Sequence, residues 1–463
     1  MLNPAQNATL AKNEMKPLKL SVSGVRGIVG QAITPELIIN FASAFGTMVL
    51  AGPVLVGRDS RNSSPMLTDG VISALLATGH EVIDLGLCPT PITQFLVKNK
   101  GARGAVSVTA GHNPAPWNAL NFINSQGTYL NEFQGQELLD IYHLGRFKQL
   151  ALKKTPKIIR ELNPEEPYLE WLLGRLELPP IKRAKFRIVV DPTNGAASKL
   201  IDKLFDLLGV QLIAINNEGN GYFPHDPEPR PRNAIEVSSL VKITTADIGF
   251  LLNSDASRLS LVSEDGETLS EEYTLPLIAR YYLKKQPGPV VTNLSTSMMI
   301  DQVAREQNLP VIRTRVGQSA IIQAMLEEKA SLAGEGSGGL AFDYFQPAFD
   351  ALVTMALYLE MMAVEGEKLS TLVKRLPRYH IVKDSLVCPA YRLHTLVAEV
   401  KKLYKGLEIN QLDGLRLEKK DLWVHVRAST TEPLIRVIAE STSQHRAQME
   451  VDRIMAYLRR LTA

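Results

Sequence analysis

The sequence predicts an α/β protein of several domains, and three observations carry that prediction. First, a short apolar run, a polar turn-forming segment and a helical stretch follow one another three times. These units are Pro53–Gly57 with Arg58–Pro65 and Met66–Thr78, Phe186–Val190 with Asp191–Gly195 and a Leu-rich helix, and Pro289–Thr292 with Asn293–Ser297 and Met298–Glu306. Their spacing of roughly 100 to 130 residues fits repeated α/β domains and excludes a solenoid, whose period is shorter. Second, the section after about residue 380 changes character. Helical stretches at Tyr391–Leu403 and Ser443–Leu461 flank strands near Leu415–Leu417 and Leu422–Val426, the order of a small α+β domain. Third, 463 residues with 45% hydrophobic content can build several cores, yet no apolar run of about 18 residues offers a membrane span.

Charge and cysteine content narrow the class further. Fifty-one Lys and Arg against 48 Asp and Glu leave +3, too balanced for a dedicated nucleic-acid binder. Cys88 and Cys388 have no paired spacing and read as two reduced thiols, which suits a cytoplasmic protein.

In chain order, residues 1–17 read as a disordered tail without the apolar core of a secretory signal, and folding begins near Leu18. The first α/β domain is assigned 18–155. Its helix Met66–Thr78 ends at Gly79, a good C-terminal stop, and Glu81–Gly86 is its next strand. Val106 and Val108 close a buried strand, which delivers the compact loop Thr109-Ala110-Gly111-His112-Asn113-Pro114. The second domain is assigned 156–264, the third 265–378 and the last 379–463. Candidate linkers are Leu178-Pro179-Pro180, Ser263–Glu267 and Leu376–Tyr379.

Several loops carry anion-binding chemistry. In Ser23-Gly24-Val25-Arg26-Gly27, glycines let the backbone approach an anion and Arg26 supplies charge. In Gly57-Arg58-Asp59-Ser60-Arg61, an internal ion pair holding the loop is the favoured reading. Arg427-Ala428-Ser429-Thr430-Thr431-Glu432-Pro433 follows a strand and unites a guanidinium, three hydroxyls and backbone N–H groups, a phosphate cradle.

These stretches together resemble the α-D-phosphohexomutase family, enzymes that interconvert sugar 1- and 6-phosphates through a phosphoserine. Seven motifs stand in the family's order. The resemblance implies four domains around a central cleft, three related α/β domains with mixed sheets and a smaller C-terminal α+β domain. It implies that Thr109–Pro114 is the phosphoserine loop, with Gly111 at the nucleophile position, His112 and Asn113 facing phosphate, and Arg26 beside them. A lysine of the family is Asn121 here, and a glycine is Ala119. The family's metal loop, with three carboxylates at alternate positions, reads Asn253, Asp255 and Ser257, followed by a retained Arg258 that faces an anion or pairs with Asp255. Arg313–Gly317, with Arg315, resembles a loop that sets sugar preference. Gly334–Gly339 resembles the sugar-binding loop, with Glu335 and Ser337 as hydroxyl partners. The Arg427–Pro433 loop resembles the one that grips the non-reacting phosphate, which implies that role for Arg427, Ser429, Thr430 and Thr431.

The retained residues bind, whereas the changed ones belong to one reaction unit of phosphoserine, metal and charged neighbour. The expectation is therefore a phosphosugar-binding protein lacking phosphoserine- and Mg²⁺-dependent mutase activity, serving as a sensor or regulatory subunit. The alternative is an active phosphohexomutase with altered chemistry. No tightly bound cofactor is expected, with Mg²⁺ weak or absent and hexose 1,6-bisphosphate as a ligand. Expected partners are a hexose phosphate and either a second copy or an active paralogue, with no nucleic acid or membrane.

Overall fold

The structure is a computed structural model that describes residues 18–150, 156–404, 409–419, 421–429 and 434–462. The expected tail therefore lies outside the described residues. The first domain has a seven-stranded mixed sheet of β1 (Lys19–Ser21), β2 (Gly24–Ile28), β3 (Val54–Arg58), β4 (Val82–Leu87), β5 (Gly104–Val108), β6 (Trp117–Asn124) and β7 (Ile158–Arg160). Its spatial order is β1-β2-β6-β5-β3-β4-β7, so the first sheet takes in Ile158–Arg160, beyond the boundary expected at residue 155. The strand β5 is fully buried, because Gly-Ala-Val-Ser-Val is small or apolar on both faces and the sheet is covered on both. It runs parallel to β3 and antiparallel to β6, so Ser107 faces Asn121 across the ladder. Gly24 on β2 flanks the same Asn121 from the other side.

The second and third domains each have four strands. The order is β11-β10-β8-β9 for β8 (Arg187–Asp191), β9 (Gln211–Ala214), β10 (Ile248–Leu252) and β11 (Leu259–Ser263). It is β13-β12-β14-β15 for β12 (Val290–Asn293), β13 (Val311–Thr314), β14 (Leu332–Gly334) and β15 (Leu340–Phe342). In both, one antiparallel edge hairpin closes an otherwise parallel sheet. The polar loops follow the carboxyl ends of the parallel strands, where open α/β sheets present ligand-binding groups. The last domain is wholly antiparallel, ordered β16-β20-β19-β18-β17 for β16 (His380–Val387), β17 (Ile409–Asn410), β18 (Leu415–Lys419), β19 (Leu422–Ala428) and β20 (Leu434–Ser441). The fold class is as expected, three mixed α/β domains and a smaller α+β one.

One apolar core continues through the first three domains, while the fourth has its own. The helix Ala351–Glu365 runs through the shared core and is buried from Ala351 to Met362, which explains its lack of a polar stripe. Asp350 caps it by accepting from the N–H groups of Leu352 and Val353, each at 3.0 Å. Polar ties join the fourth domain to the third. Glu440 accepts from the Met298 N–H at 2.8 Å, Asp413 from the Val316 N–H at 2.9 Å, and Arg416 donates to the Leu294 carbonyl. His425 bridges Ser295 and the Asp413 carbonyl.

Two local expectations are corrected. Leu178-Pro179-Pro180 is no linker but the start of the helix Leu178–Ala184, because proline suits a first helical turn. Tyr391–Leu403 is not one helix. The α-helical part is Leu393–Val400, flanked by 3₁₀ turns. Cys88 and Cys388 are both buried and free. Among the described residues no helix is long and apolar enough to cross a membrane.

Candidate active site

The loop after β5 takes its shape from buried side chains brought to it. Arg61 is buried and ion-paired to Asp59 at 2.9 Å. Its remaining N–H groups reach the carbonyls of Gly111 (2.8 Å), Asn113 (2.7 Å), Pro114 (2.8 Å) and Trp117 (3.2 Å). Asp59 also accepts from Thr109 Oγ1 at 2.7 Å, and Thr109 in turn accepts from the Gly111 N–H at 2.9 Å. The Gly57–Arg61 segment thus holds the loop, as its ion-pair reading expected.

Gly111 sits at φ +55°, in the left-handed region, and a Cβ there would lie 3.5 Å from Asp255 Oδ2 and 3.6 Å from Asn253 Nδ2. Position 111 therefore faces the metal-type loop, with room for a small side chain but a backbone that glycine favours. Gly111→Ser is expected to fold and to lose about 1–2 kcal/mol to left-handed strain, read as a shift of the urea unfolding midpoint. Asn121 donates to the Thr109 carbonyl at 2.8 Å, so it braces the loop rather than presenting a charge.

Across from Gly111, the turn after β10 folds on itself. Asn253 donates to Asp255 Oδ1 at 2.8 Å and to Ser257 Oγ at 3.0 Å, and Ser257 donates to Asp255 Oδ1 at 2.7 Å. Ser254, which the sequence reading did not single out, ties this turn to the first domain. Its hydroxyl lies 2.8 Å from the Gly111 carbonyl and 3.0 Å from Asp59 Oδ2. Thr90 adds a second tie, its N–H reaching the Asp255 carbonyl at 3.1 Å and its hydroxyl Asp255 Oδ2 at 3.2 Å.

Arg258 does not pair with Asp255. It reaches Glu335 at 2.8 Å and His112 Nδ1 at 3.2 Å. A guanidinium only donates, so Nδ1 accepts and the proton of neutral His112 sits on Nε2. Burial, reinforced by Arg258 and then Arg26, holds the His112 imidazolium well below its usual range. His112 is thus a neutral donor, and Arg26 lies behind it, donating to Asn113 Oδ1 at 2.9 Å.

Glu335 is buried at the far wall, accepting from Asn293 Nδ2 at 3.1 Å and from Ser337 Oγ. Below it, Gly336 packs on the carboxylate of Glu272, which a Cβ would approach to 1.9 Å. Glu272 accepts from the Ser297 N–H at 3.1 Å and pairs with Lys383 of the fourth domain at 2.8 Å. Burial lifts its carboxyl to about 6, against the opposing pull of Lys383. The folded value lies above the ordinary 4.5, so the fold prefers the protonated form. Stability is fullest below that ordinary value and falls as pH rises through about 6, by about 2 kcal/mol from this group. Glu272→Gln is expected to flatten this slope in urea denaturation between about pH 4 and 7.

The other predicted residues are spread more widely. Arg427 is buried, with Nη1 4.0 Å from Asp413 and, among the described residues, no partner on Nε. Burial lowers its pKa, opposed by Asp413. The Ser429 N–H donates to the Leu434 carbonyl at 2.8 Å, while Thr430 and Thr431 lie outside the described residues. Arg315 is exposed and reaches Glu132 of the first domain at 3.7 Å, outside the Glu335 cluster. Arg313 is structural, donating to the carbonyls of Asn293 (2.9 Å) and Thr296 (3.0 Å).

The first three domains thus bring the Gly111 loop, the carboxylate turn opposite it and the buried Glu335–Arg258 pair to one site. Comparison with known proteins gives the family. Models of the phosphoglucomutase/phosphomannomutase domains I, II and III match residues 18–149, 166–266 and 270–379, and that of the C-terminal domain matches 388–456. The chain belongs to the phosphoglucomutase/phosphomannomutase family. It is 34% identical to a phosphoglucomutase/phosphomannomutase of Thermococcus kodakarensis, over 92% of this chain and 95% of that protein. It is also 34% identical to a probable phosphoglucosamine mutase of Pyrococcus abyssi, over 92% and 94%. A solved family protein of Burkholderia thailandensis superposes with a TM-score of 0.82 at 27% identity, covering 95% of this chain and 98% of that one. An Aspergillus fumigatus N-acetylphosphoglucosamine mutase shares the fold at 15% identity and TM-score 0.55, over 87% of this chain and 81% of that one. Its structure is a complex with GlcNAc-6P and magnesium.

The expectation of no tightly bound cofactor, with Mg²⁺ weak or absent, is corrected here. The relatives at 34% identity are named as a phosphoglucomutase/phosphomannomutase and a probable phosphoglucosamine mutase, and a solved protein of the same fold is a complex with GlcNAc-6P and magnesium. In the turn after β10, Asp255 and Ser257 carry hard oxygen donors, and Arg258, the cation that would compete for Asp255, points away to Glu335. Asn253 turns its Nδ2–H groups toward both, and its Oδ1 accepts from the Ser257 and Arg258 N–H groups at 3.0 Å, so the Asp255 carboxylate and the Ser257 hydroxyl are what this turn offers an ion.

Proposed function

We propose that the chain is a working phosphohexomutase, moving a phosphoryl group between the 1- and 6-oxygens of a hexose phosphate. One observation carries this reading: Glu335, Ser337 and Arg258 form one connected wall that meets the Gly111 loop at His112. The names of the relatives support it. Glu335 accepts from sugar hydroxyls, Arg258 and the His112 Nε2–H face a phosphate, and the Arg427 loop receives the second phosphate.

Gly111 forms no serine ester, so the phosphoryl group comes from a hexose 1,6-bisphosphate. A hydroxyl oxygen of the monophosphate bonds to phosphorus, the P–O bond of the bisphosphate breaks, and the hydroxyl proton ends on the oxygen that left. Asp255 and Ser257 would hold Mg²⁺, which would supply positive charge against the transferring group. Magnesium is expected to raise the melting temperature of the chain and to lose this effect in Asp255→Ala, as scanning calorimetry would register.

A second reading, a hexose-phosphate binder without turnover, is favoured by one observation, the missing hydroxyl at Gly111. In it the chain serves as a sensor or regulatory subunit. A coupled assay with Mg²⁺, hexose 1,6-bisphosphate and the 6-phosphates of glucose, mannose and glucosamine separates the two. Turnover of about 1–1,000 per second establishes the mutase. Calorimetric binding without turnover establishes the binder, and absence of both sinks each.

A further inference from the structure

A groove of about 590 Å³ opens where the first three domains meet, away from the Gly111 loop. That volume falls within the usual range of small-molecule sites. Its walls come from three elements: Phe95 and Lys98 on the helix Thr90–Asn99, Glu170 and Trp171 on the helix Glu166–Leu173, and Phe345 and Gln346 in the loop after β15. The rings form a continuous apolar surface, Phe95 to Trp171 at 4.8 Å and Trp171 to Phe345 at 5.8 Å between centroids. Two charges of opposite sign stand at this aromatic surface, and among the described residues neither the Lys98 nor the Glu170 side chain makes an ion pair or hydrogen bond. In the wall, Gln94 is buried with its Oε1 lacking any donor. An aromatic ring flanked by one cation and one anion is complementary to a molecule that itself carries a ring, a carboxylate and an ammonium group.

The back of this wall is the reaction centre. Thr90, at the start of the helix carrying Phe95 and Lys98, makes the two contacts to Asp255 described above. Gln346 donates to the Pro91 carbonyl at 3.2 Å and to Asp350 at 2.7 Å. The next residue, Ala351, donates its N–H to the Ala256 carbonyl at 3.0 Å. Both routes run through buried hydrogen bonds of 2.7–3.2 Å at helix starts.

We propose that this groove is a regulatory site for a zwitterionic aromatic amino acid, its ring against Phe95, Trp171 and Phe345, its carboxylate on Lys98 and its ammonium on Glu170, and that occupancy is felt at Asp255. Binding at the groove stands independently of the mutase reading, because it is measured without turnover.

The test uses the intrinsic fluorescence of the full chain, in which Trp171 is one of three tryptophans. L-Phenylalanine is expected to change the emission saturably, and Trp171→Phe to abolish the change. N-Acetyl-L-phenylalanine and L-phenylalaninamide, each lacking one charge, are expected to bind about tenfold more weakly. Glu170→Gln should erase the penalty for acetylation, and Lys98→Met the penalty for the amide. Saturating phenylalanine should shift the dissociation constant of Mg²⁺ about threefold or more, and Mg²⁺ should shift that of phenylalanine by the same factor. No emission change up to about 10 mM, equal binding of all three probes, or a change that persists in Trp171→Phe overturns the site. An unchanged Mg²⁺ constant overturns the transmission to Asp255.

Discussion

Arg61→Ala is expected to destabilise the chain by about 3–5 kcal/mol, the usual cost of removing one partner from a buried charge pair. The buried carboxylate of Asp59 loses its cation, and the carbonyls of Gly111, Asn113, Pro114 and Trp117 lose their common donor. The cost of stranding the Asp59 carboxylate exceeds the worth of its bonds, since that group has already left water. Urea denaturation reads the loss, and Arg61→Lys is expected to recover little of it, because an ammonium cannot hold a planar fork of acceptors. A variant within 1 kcal/mol of the parent, an order-of-magnitude threshold, would remove Arg61 from its place as the organiser of this loop.

The second large effect concerns binding. Glu335→Ala is expected to weaken hexose-phosphate affinity about 100-fold, equivalent to about 2.7 kcal/mol. The substitution removes the acceptor for sugar hydroxyls and also frees Arg258, Ser337 and Asn293 from their shared partner. Glu335→Gln keeps the shape and one acceptor, and a loss of about tenfold is expected from it. Isothermal calorimetry with glucose 6-phosphate distinguishes the two. Equal affinity in parent and alanine variant would place the sugar elsewhere in the cleft.

Local sequence carried the three strand–loop–helix units, because an apolar run, a turn cluster and a helical period lie within about 25 residues of one another. The pairing of Asp59 with Arg61 was legible for the same reason, the two being neighbours in one turn. Ser254, Asp413 and Glu272 were not legible. Each acts through a partner on another domain: Gly111 for Ser254, Val316 for Asp413 and Lys383 for Glu272. The turn at Asn410–Gly414 shows only that a loop is present, not what its aspartate meets. Leu178-Pro179-Pro180 failed differently, since proline marks both a linker and the first turn of a helix. The metal expectation failed because it read metal loss from formal charge at three positions alone, whereas the relatives are named as mutases and Ser257 keeps a hydroxyl oxygen beside Asp255.

The clamp on the Thr109–Pro114 backbone has a consequence for how this chain changes over evolutionary time. The path of the loop is specified by Arg61, Asp59, Thr109 and Ser254, none of which is residue 111. A hydroxyl at that position is therefore nearly invisible to folding, its only toll the left-handed strain of about 1–2 kcal/mol. Forms with and without a nucleophile sit one substitution apart on the same scaffold, separated by less than the margin that keeps a folded domain folded. A nucleophilic hydroxyl at position 111 can thus be lost or gained in one mutational step while the architecture around it stays under its own, separate selection.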